Sequence, residues 1–349
     1  MRTRLKTILA ALAGAALGAL LLYLALRGVD LATVGQALRD AEWWWAVPLT
    51  IVVLLSHWLR AWRWRLLLSA ADVRGITTVQ AFSSLMVGYM ANYAAPRFGE
   101  IARCAHLGAR TRTAFSTSLG TVVSERLLDV LVLILAILSI PVLLAGELAP
   151  VMALFRPSIE VVQDSPFLWG ATLVAALVTL MLLFALGRRL LARVRASERP
   201  SVLRFREAGA RFKGGLFSLL RVRERATVAL ITLAMWFCYA IMAYIPLVML
   251  GISQVYALSL VDAWVLMVVG SAALIVPSPG GTGSYHYVTV QAMMLLFAVA
   301  PEPAATYALL THAAQLILYA LVGVIILSVQ RVSLRALLQR PDPETVPTP

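Results

Sequence analysis

Between residues 255 and 300 the chain reads VYALSLVDAWVLMVVGSAALIVPSPGGTGSYHYVTVQAMMLLFAVA, and Asp262 is the only charged residue in that stretch. Its centre, Pro277–Gly283, is rich in proline and glycine, which interrupt a helix. Non-helical backbone at membrane depth persists only where protein or trapped water satisfies its polar groups. The stretch therefore predicts two half-helices that form a re-entrant hairpin, entering from the external side. Two complete spans joined by a tight turn are the alternative.

A second interrupted stretch lies earlier in the chain. Residues 75–96 carry no charge, and the segment Asn92-Tyr-Ala-Ala-Pro96-Arg97-Phe-Gly99-Glu100-Ile-Ala-Arg103 overlaps their end. If residues 75–96 crossed the membrane, the arginines that follow would face outward, against the positive-inside rule. A re-entrant hairpin that returns to the cytoplasmic side removes this conflict. Paired interrupted helices in the two halves of a chain point to a transporter's binding site.

The composition indicates an integral membrane protein. Of the 349 residues, 61% are hydrophobic and 13% are charged, whereas a soluble domain has about 45–50% apolar and about 25% charged residues. The 30 Lys and Arg residues exceed the 17 Asp and Glu residues. Because the basic residues cluster at the ends of apolar runs, they indicate membrane orientation and exclude a nucleic-acid partner.

Enzyme and metal-site motifs are missing from the sequence. The two cysteines are far apart, which excludes a disulfide framework and a cysteine-based zinc site. The segment Pro279–Ser284 resembles a phosphate loop but lacks the Walker lysine. We therefore expect no catalytic residue, no cofactor and no metal, and we classify the chain as not an enzyme. A lipid-modifying activity that uses Glu125, Asp129 and His286 is the minor alternative.

The apolar runs predict an all-α polytopic membrane bundle with about six full spans plus the two hairpins, or with eight complete spans. Arg60, Arg63 and Arg65 follow the second span and mark a cytoplasmic exit. We expect residues 1–330 to form one transmembrane domain, and residues 331–349 to form a cytoplasmic tail with a disordered end. The six predicted spans are Thr7–Leu26, Trp43–Leu59, Thr113–Gly146, Ser165–Gly187, Ala226–Leu250 and Ala304–Val329.

The segment Arg188–Arg225 is the strongest cytoplasmic signal in the chain. It carries twelve Lys and Arg residues against three Glu. Its spacing of leucine, valine and phenylalanine favours amphipathic helices that lie on anionic lipid. A solvated basic loop is the alternative.

The first group of candidate headgroup-binding residues lies at the earlier break. Glu100 stands between Arg97 and Arg103, and a carboxylate in that place can hold both guanidinium groups while leaving N–H groups free for a phosphate. Asn92 belongs to the same group. An interfacial salt-bridge turn is the alternative.

The second group lies on the long helix predicted after this break. Four polar residues are spaced by three and four positions and so share one face: Ser118, Thr121, Glu125 and Asp129. Arg126 lies one position away from that face. We expect Glu125 and Asp129 to position arginines of the first group or to relay protons. An internal ion-pair network is the alternative.

The later break supplies the remaining candidates. The backbone of Gly280, Gly281 and Gly283 is expected to line the external half of the site. His286 follows shortly after and could titrate near neutral pH. A hydrogen-bonded core histidine is the alternative.

Together these motifs resemble the lysylphosphatidylglycerol synthase transmembrane-region family, the flippase-like membrane proteins of bacteria and archaea. The resemblance extends over roughly residues 1–330, in the family's order. It departs at His286, where many members carry Glu, so the charge of the external hairpin differs. The matching pieces are Arg60-x-x-Arg63-Trp64, Asn92-x-x-x-Pro96-Arg97-x-Gly99-Glu100-x-x-Arg103, Glu125-Arg126-Leu-Leu-Asp129 and Pro277-x-Pro279-Gly280-Gly281-x-Gly283.

The resemblance implies a multi-pass protein of the bacterial or archaeal cytoplasmic (inner) membrane, with both termini cytoplasmic, that flips aminoacylated phospholipids or related isoprenoid and hopanoid lipids. Full synthases also carry a soluble aminoacyl-transfer domain, and we expect no such activity because about 20 residues follow the last predicted span.

We therefore expect a transporter that binds an anionic or phosphate-bearing lipid at a midplane site between the hairpins. In that site Arg97, Arg103 and Arg126 would bind the headgroup phosphate. A non-catalytic subunit that presents lipid to a partner lipid-modifying enzyme is the alternative.

Overall fold

The computed structural model describes residues 2–94, 98–144, 200–273 and 278–330, together with Met181. Within these ranges the chain forms thirteen α-helices and no β-strand, which confirms the all-α class. In chain order the helices are α1 Arg2–Leu26, α2 Leu31–Asp40, α3 Ala46–Ala70, α4 Thr78–Ala94, α5 Phe98–Thr111, α6 Phe115–Leu143, α7 Pro200–Leu216, α8 Ser218–Arg221, α9 Arg225–Met249, α10 Ile252–Val255, α11 Leu260–Ala273, α12 Ser284–Phe297 and α13 Pro301–Gln330.

Four of these helices are long and apolar enough to cross a membrane, namely α6, α9, α13, and α3 with the 3₁₀ turn Trp43–Trp45 before it. A fifth crossing is available if Gly14–Leu26 and α2, which meet at 83°, form one bent span. These helices coincide with five of the six predicted spans, and the chain is a polytopic helical membrane protein. The sixth predicted span, Ser165–Gly187, and the predicted tail, 331–349, lie outside the described residues.

The second predicted span ends too early. Helix α3 continues past Leu59 to Ala70. Arg60 and Arg63, which are predicted to mark a cytoplasmic exit, are buried within the bundle. Carboxylates on α6 pair with both guanidinium groups, and such pairing allows charged side chains to remain inside an apolar bundle. The cytoplasmic exit itself remains a prediction.

Helices α4 and α5 pack antiparallel and form the first hairpin. Ser84 on α4 hydrogen-bonds with His106 on α5, and the Asn92 side-chain oxygen accepts the Gly99 N–H at 2.7 Å. The two helices are close enough that a Cβ atom at Gly99 would lie 2.2 Å from the Gly88 carbonyl oxygen. Glycine is therefore required where they cross.

Helices α11 and α12 form the second hairpin. At its open end the Tyr256 hydroxyl accepts the Ala300 N–H at 3.2 Å. Its closed end contains a 3₁₀ turn, Pro279–Gly281, in which Gly280 and Gly281 have φ angles of 58° and 78°. Such left-handed backbone favours glycine, which explains the composition of the break.

The closed ends of the two hairpins meet inside the bundle. A Cβ atom at Gly280 would lie 2.6 Å from the Tyr93 ring. Helix α13 runs past both hairpins, since Thr311 hydrogen-bonds with a tyrosine of α12 and Tyr319 stacks on Tyr89 of α4. The hairpins thus point at each other from opposite ends of the bundle. Their entry into a membrane from opposite faces remains a prediction.

Two helices, α7 and α8, come from the predicted basic segment Arg188–Arg225. Helix α7 crosses α6 closely, because a Cβ atom at Gly120 would lie 2.2 Å from the Phe212 carbonyl oxygen, and Gly215 faces the backbone of α6 in the same way. This stretch of the segment therefore packs on the bundle. Its contact with anionic lipid remains a prediction.

Cysteine labelling in sealed, oriented vesicles tests the opposed hairpins. The variants Arg74→Cys and Arg112→Cys, which flank the first hairpin, should react with a membrane-impermeant maleimide from one face. Gln254→Cys and Pro301→Cys, which flank the second hairpin, should react from the other face. The two native cysteines are buried, and the unmodified chain supplies the background. Labelling of Arg74→Cys and Arg112→Cys from opposite faces would show that α4 crosses completely.

The variant Gly99→Ala tests the helix crossing, because the added methyl group overlaps the Gly88 carbonyl oxygen. Overpacking substitutions cost about 1–3 kcal/mol, so we expect a lower midpoint of thermal unfolding in detergent. Gly209→Ala on α7 is the matched control, because no atom lies within 4 Å of its Cβ position. Since alanine favours a helix over glycine, the control midpoint should hold or rise. An unchanged midpoint for Gly99→Ala would contradict the close crossing.

Candidate functional site

A cavity of about 630 Å³ lies where the two hairpins meet, and side chains of α3, α6, α9 and α13 complete its walls. Cavities of roughly 300–1,000 Å³ are typical of small-ligand sites. One part of the lining is charged, a second part is aromatic, and residues such as Met242, Leu266 and Met267 supply an apolar part. The cavity lining therefore combines charged, aromatic and apolar surfaces.

The charged part of the lining rests on buried ion pairs between α3 and α6. Glu125 is 0% exposed, and its Oε1 accepts from Arg60 Nε at 2.6 Å. Asp129, one helical turn later, accepts from Arg60 and from Arg63 Nη2, the latter at 2.5 Å. Arg63 also donates to the Thr232 hydroxyl on α9 at 3.1 Å. These contacts hold α3, α6 and α9 together.

Arg103 connects the first hairpin to the same ion pairs. Its Nη2 donates to Glu125 Oε2 at 2.7 Å, and its guanidinium carbon lies 4.6 Å from the centre of the Trp64 ring. Trp64 in turn donates its indole N–H to Thr121 Oγ1 at 2.9 Å. Because Arg103 is buried, these contacts fix the hairpin against α3 and α6.

Arg126 and Glu100 form a more exposed ion pair, with 3.0 Å between Arg126 Nη2 and Glu100 Oε1. Both residues line the cavity. The Arg126 side chain is 40% exposed, and its only other carboxylate contact among the described residues is with Asp129 at 3.8 Å. Arg126 is therefore the arginine of this group that a ligand reaches most easily.

We call these residues the charge cluster, and its described members are four arginines and three carboxylates: Arg60, Arg63, Arg103, Arg126, Glu100, Glu125 and Asp129. An unbalanced positive charge inside an apolar bundle is costly. The described members carry one formal positive charge in excess, and the partly exposed Arg126 is one of them. An anionic group in the cavity would balance it.

Tyrosines supply the aromatic part of the lining. Tyr89 stacks on Tyr319 with ring centres 4.9 Å apart, and the Tyr319 hydroxyl hydrogen-bonds with His57 Nε2 at 2.9 Å. Tyr93 lies at the closed end of the first hairpin. This part of the wall offers ring faces and neutral hydroxyl groups. The other lining tyrosines are Tyr239, Tyr285 and Tyr307.

The second hairpin contributes glycine backbone and a histidine. Gly280 and Gly281 line the cavity. Gly283, with φ of 86°, precedes α12, and His286 Nδ1 accepts its N–H at 3.2 Å. His286 thereby caps α12 and is buried. His312, whose ring centre lies 4.7 Å from that of His286, lines the cavity instead.

The structure brings most of the predicted residues to one place, and it divides them into two sets. Those that line the cavity are Asn92, Glu100, Arg126, Asp129, Gly280 and Gly281. Those that lie behind the lining are Arg103, Glu125, Gly283 and His286. Arg97 lies outside the described residues. Contact of any of them with a headgroup remains a prediction.

Sequence reasoning did not identify Arg60, His57, His312 or the tyrosines as cavity residues. One signal was available, because Arg60 and Arg63 are three residues apart and so lie on one helix face. Two carboxylates share a face of the next long helix, and the pairing of the two faces could have been inferred. The tyrosines offered no signal, since only packing brings Tyr89 and Tyr319 together.

No metal site is evident in the part of the chain that the structure describes, where no three His, Cys, Asp or Glu side chains converge. Each of the three carboxylates in the charge cluster is paired with an arginine. The arrangement is suited to holding an anion.

Comparison with known proteins gives one match. The family model described as the lysylphosphatidylglycerol synthase TM region matches residues 11–323, which is nearly the whole chain. Neither the curated proteins nor the solved structures contain a match.

The variant Glu125→Gln tests the charge cluster, because it removes the carboxylate that Arg60 and Arg103 share. Leaving a buried charge without its partner costs about 3–5 kcal/mol, so we expect a large fall in the midpoint of thermal unfolding. Glu207→Gln on α7 is the control, since its pair with Arg211, at 3.6 Å, lies on the surface and contributes little. Equal midpoints for the two variants would contradict the stabilising role of Glu125.

Proposed function

Because the chain belongs to the lysylphosphatidylglycerol synthase TM region family, we propose that it transports lipid, binding an anionic headgroup in the cavity and moving it between the two leaflets. The family membership supports a membrane protein related to lipid synthesis or flipping. The proposal for this chain rests on the cavity itself.

The observation that carries the proposal is the exposed Arg126 guanidinium, which lines the cavity between the two hairpins and pairs with Glu100 in the first turn of α5. Helix α5 begins at Phe98 and α12 begins at Ser284, both at the closed ends of the hairpins. The N-terminus of a helix carries a partial positive charge and N–H groups without a helical partner, and so attracts anions. A headgroup phosphate in the cavity would bind the Arg126 guanidinium, and the start of α5, where Glu100 pairs with Arg126, would add the partial positive charge of a helix N-terminus.

The members of the charge cluster take different roles in this proposal. Arg126 binds the phosphate, because it is the most exposed arginine of the cluster. Glu125 and Asp129 hold Arg60, Arg63 and Arg103 in place. Phosphate binding at Arg126 then requires none of the buried pairs to break.

Movement of the headgroup follows from the opposed hairpins. In transporters with interrupted helices, the binding site lies near the bilayer midplane and opens to each side in turn. The sequence contains no Walker motif, so transport runs down the lipid gradient or is coupled to an ion gradient. The lipid tails remain in the membrane while the headgroup crosses through the cavity.

We further propose that the protein lies in the bacterial or archaeal cytoplasmic membrane with both termini in the cytoplasm. This orientation is supported by three basic residues before the first apolar run and three after the last, namely Arg2, Arg4, Lys6, Arg331, Arg335 and Arg340.

The variant Arg126→Gln tests the transport proposal in vesicles of phosphatidylcholine that contain phosphatidylglycerol with a fluorescent acyl chain. Leaflet exchange is measured by adding a quencher that cannot cross the membrane. A hydrogen bond to a charged group contributes about 1.5–3 kcal/mol, so we expect exchange to slow by about 10- to 100-fold. Arg39→Gln is the matched control, because Arg39 is exposed on α2 and does not line the cavity.

Equal exchange rates for Arg126→Gln and Arg39→Gln would remove Arg126 from the transport pathway. If the wild-type protein binds the labelled lipid but exchanges none, the chain is a lipid-binding subunit. The partner is then a lipid-modifying enzyme, which should co-purify with the full chain in equal amount.

A further inference from the structure

Two imidazole rings lie together at the closed end of the second hairpin. The ring centres of His286 on α12 and His312 on α13 are 4.7 Å apart. His312 lines the cavity and is partly exposed, whereas His286 is buried. Neither the ion pairs of the charge cluster nor phosphate binding at Arg126 uses these two rings. Imidazole changes its charge near neutral pH, so the pair can respond to protons in a way that the proposed function does not yet include.

The hydrogen bond of His286 holds that ring neutral. Its Nδ1 accepts the Gly283 N–H at 3.2 Å, and a backbone N–H can only donate. Nδ1 must therefore stay unprotonated, and the neutral ring carries its hydrogen on Nε2. A proton on Nδ1 would place two N–H groups against each other and release the cap at the start of α12.

The hydrogen bond of His312 suits both protonation states of the ring. Its Nε2 lies 3.3 Å from Thr282 Oγ1, and a hydroxyl group can either donate to that nitrogen or accept from it. Its Nδ1 has no hydrogen-bond partner among the described residues. Because the ring lines the cavity, water that enters there can deliver a proton. His312 can thus become charged while its contact with Thr282 is kept.

The other two of the four histidines are poorly placed to take up a proton. His57 lines the cavity, but its Nε2 is bonded to Tyr319 and its Nδ1 is closed off from solvent without a partner. A charged His57 ring would therefore carry a buried N–H without an acceptor, which is costly. His106 is buried in the first hairpin against Ser84 and does not line the cavity. His312 is the histidine that a proton in the cavity can reach.

Few other charges surround the two rings. The described part of the second hairpin has one charged residue, Asp262, which bonds with Ser259 in the first turn of α11, at the open end. Helix α4, α12 and residues 14–26 of α1 have none. The tyrosines nearby are neutral at pH 7. The remaining titratable or charged groups on the cavity wall or on helices packed against α12 and α13 are Arg39, Asp40, Arg60, Glu100, Arg126, Asp129, Arg225, Glu302, Tyr23, Tyr89, Tyr93, Tyr239, Tyr244, Tyr285, Tyr287, Tyr307 and Tyr319.

We propose that His312 binds a proton that crosses the membrane together with the headgroup, and that His286 positions the closed end of the second hairpin. The inference rests on the proposed transport function and specifies the ion that drives it. An anion at Arg126 balances the formal excess charge of the charge cluster, so a proton on His312 then meets less repulsion. The proton and the anion thereby favour each other's binding, and such reciprocal binding is what coupling requires.

The geometry also sets the number of protons. Two charged rings with centres 4.7 Å apart would repel each other, and His286 Nδ1 is already occupied. One proton therefore moves with each singly charged headgroup. Since the two charges cancel, the transported pair carries no net charge.

The test measures how a pH gradient distributes lipid between the leaflets. Wild-type protein is placed in phosphatidylcholine vesicles that contain a trace of phosphatidylglycerol with a fluorescent acyl chain, and the two sides differ by about one pH unit. We expect the label to accumulate about tenfold in the leaflet on the less acidic side, because the proton concentrations differ tenfold. An impermeant quencher reports the share in each leaflet. Protein-free vesicles give the spontaneous background.

A membrane potential distinguishes this scheme from movement of the bare anion. A potassium gradient with valinomycin, at equal pH on both sides, should leave the label equal in the two leaflets because the transported pair is neutral. Accumulation that follows the potential and not the pH gradient would overturn the inference.

His312→Gln and His286→Gln are the matched variants. Glutamine in place of His312 can still bond with Thr282 but takes up no proton, so exchange should continue while accumulation falls to the background. Glutamine at the third position of α12 keeps an acceptor for the Gly283 N–H, so His286→Gln should retain the tenfold accumulation. His106→Gln is the control outside the cavity and should behave as wild type. The thermal midpoint of each variant identifies any loss of folding.

The outcomes separate this inference from the transport function. Wild-type exchange that settles at equal leaflets under the pH gradient overturns the proton inference and leaves transport intact. Accumulation that is lost in folded His286→Gln but kept in His312→Gln overturns the assignment of the proton to His312. No exchange by the wild-type protein at any pH overturns the transport function, and this inference with it.

Discussion

Glu125 and Asp129 on α6 hold the bundle together by pairing with arginines from α3 and from the first hairpin. Helices in a bilayer gain little from hydrophobic burial against one another, so polar contacts and close packing hold them together. Glu125 alone joins α3, through Arg60, to the first hairpin, through Arg103. A full carboxylate is tolerated at 0% exposure only because those guanidinium groups surround it.

Besides the ion pairs, glycines allow the helices and hairpins to approach one another closely. Gly99 lets α5 approach α4, and Gly280 lets the closed end of the second hairpin approach Tyr93. Interrupted helices are stable at membrane depth when neighbouring protein or a cavity satisfies their ends. Here the interruptions face each other across the same cavity. Asn92, beside the first break, and Gly280, within the second, therefore line one cavity.

The arginines that hold the helices together differ from the arginine that is exposed in the cavity. The buried arginines Arg60, Arg63 and Arg103 are paired with carboxylates. Arg126 is 40% exposed, and both it and its partner Glu100 line the cavity. A ligand can thus bind to one arginine without competing for the pairs that hold the helices. Beside it, the tyrosines supply hydroxyls and ring faces that carry no charge.

The membrane class, five of the six predicted spans, the two hairpins and most of the charged cavity residues are predictable from the sequence, because hydropathy, proline and glycine act locally along the chain. It did not predict that Arg60 and Arg63 are buried, since the carboxylates that pair with them lie on α6. The packing of the helices places Glu125 behind the cavity lining, lets His286 cap α12, and brings tyrosines from distant helices into one wall. These roles depend on which helix faces meet, and residue spacing within one helix contains no information about that.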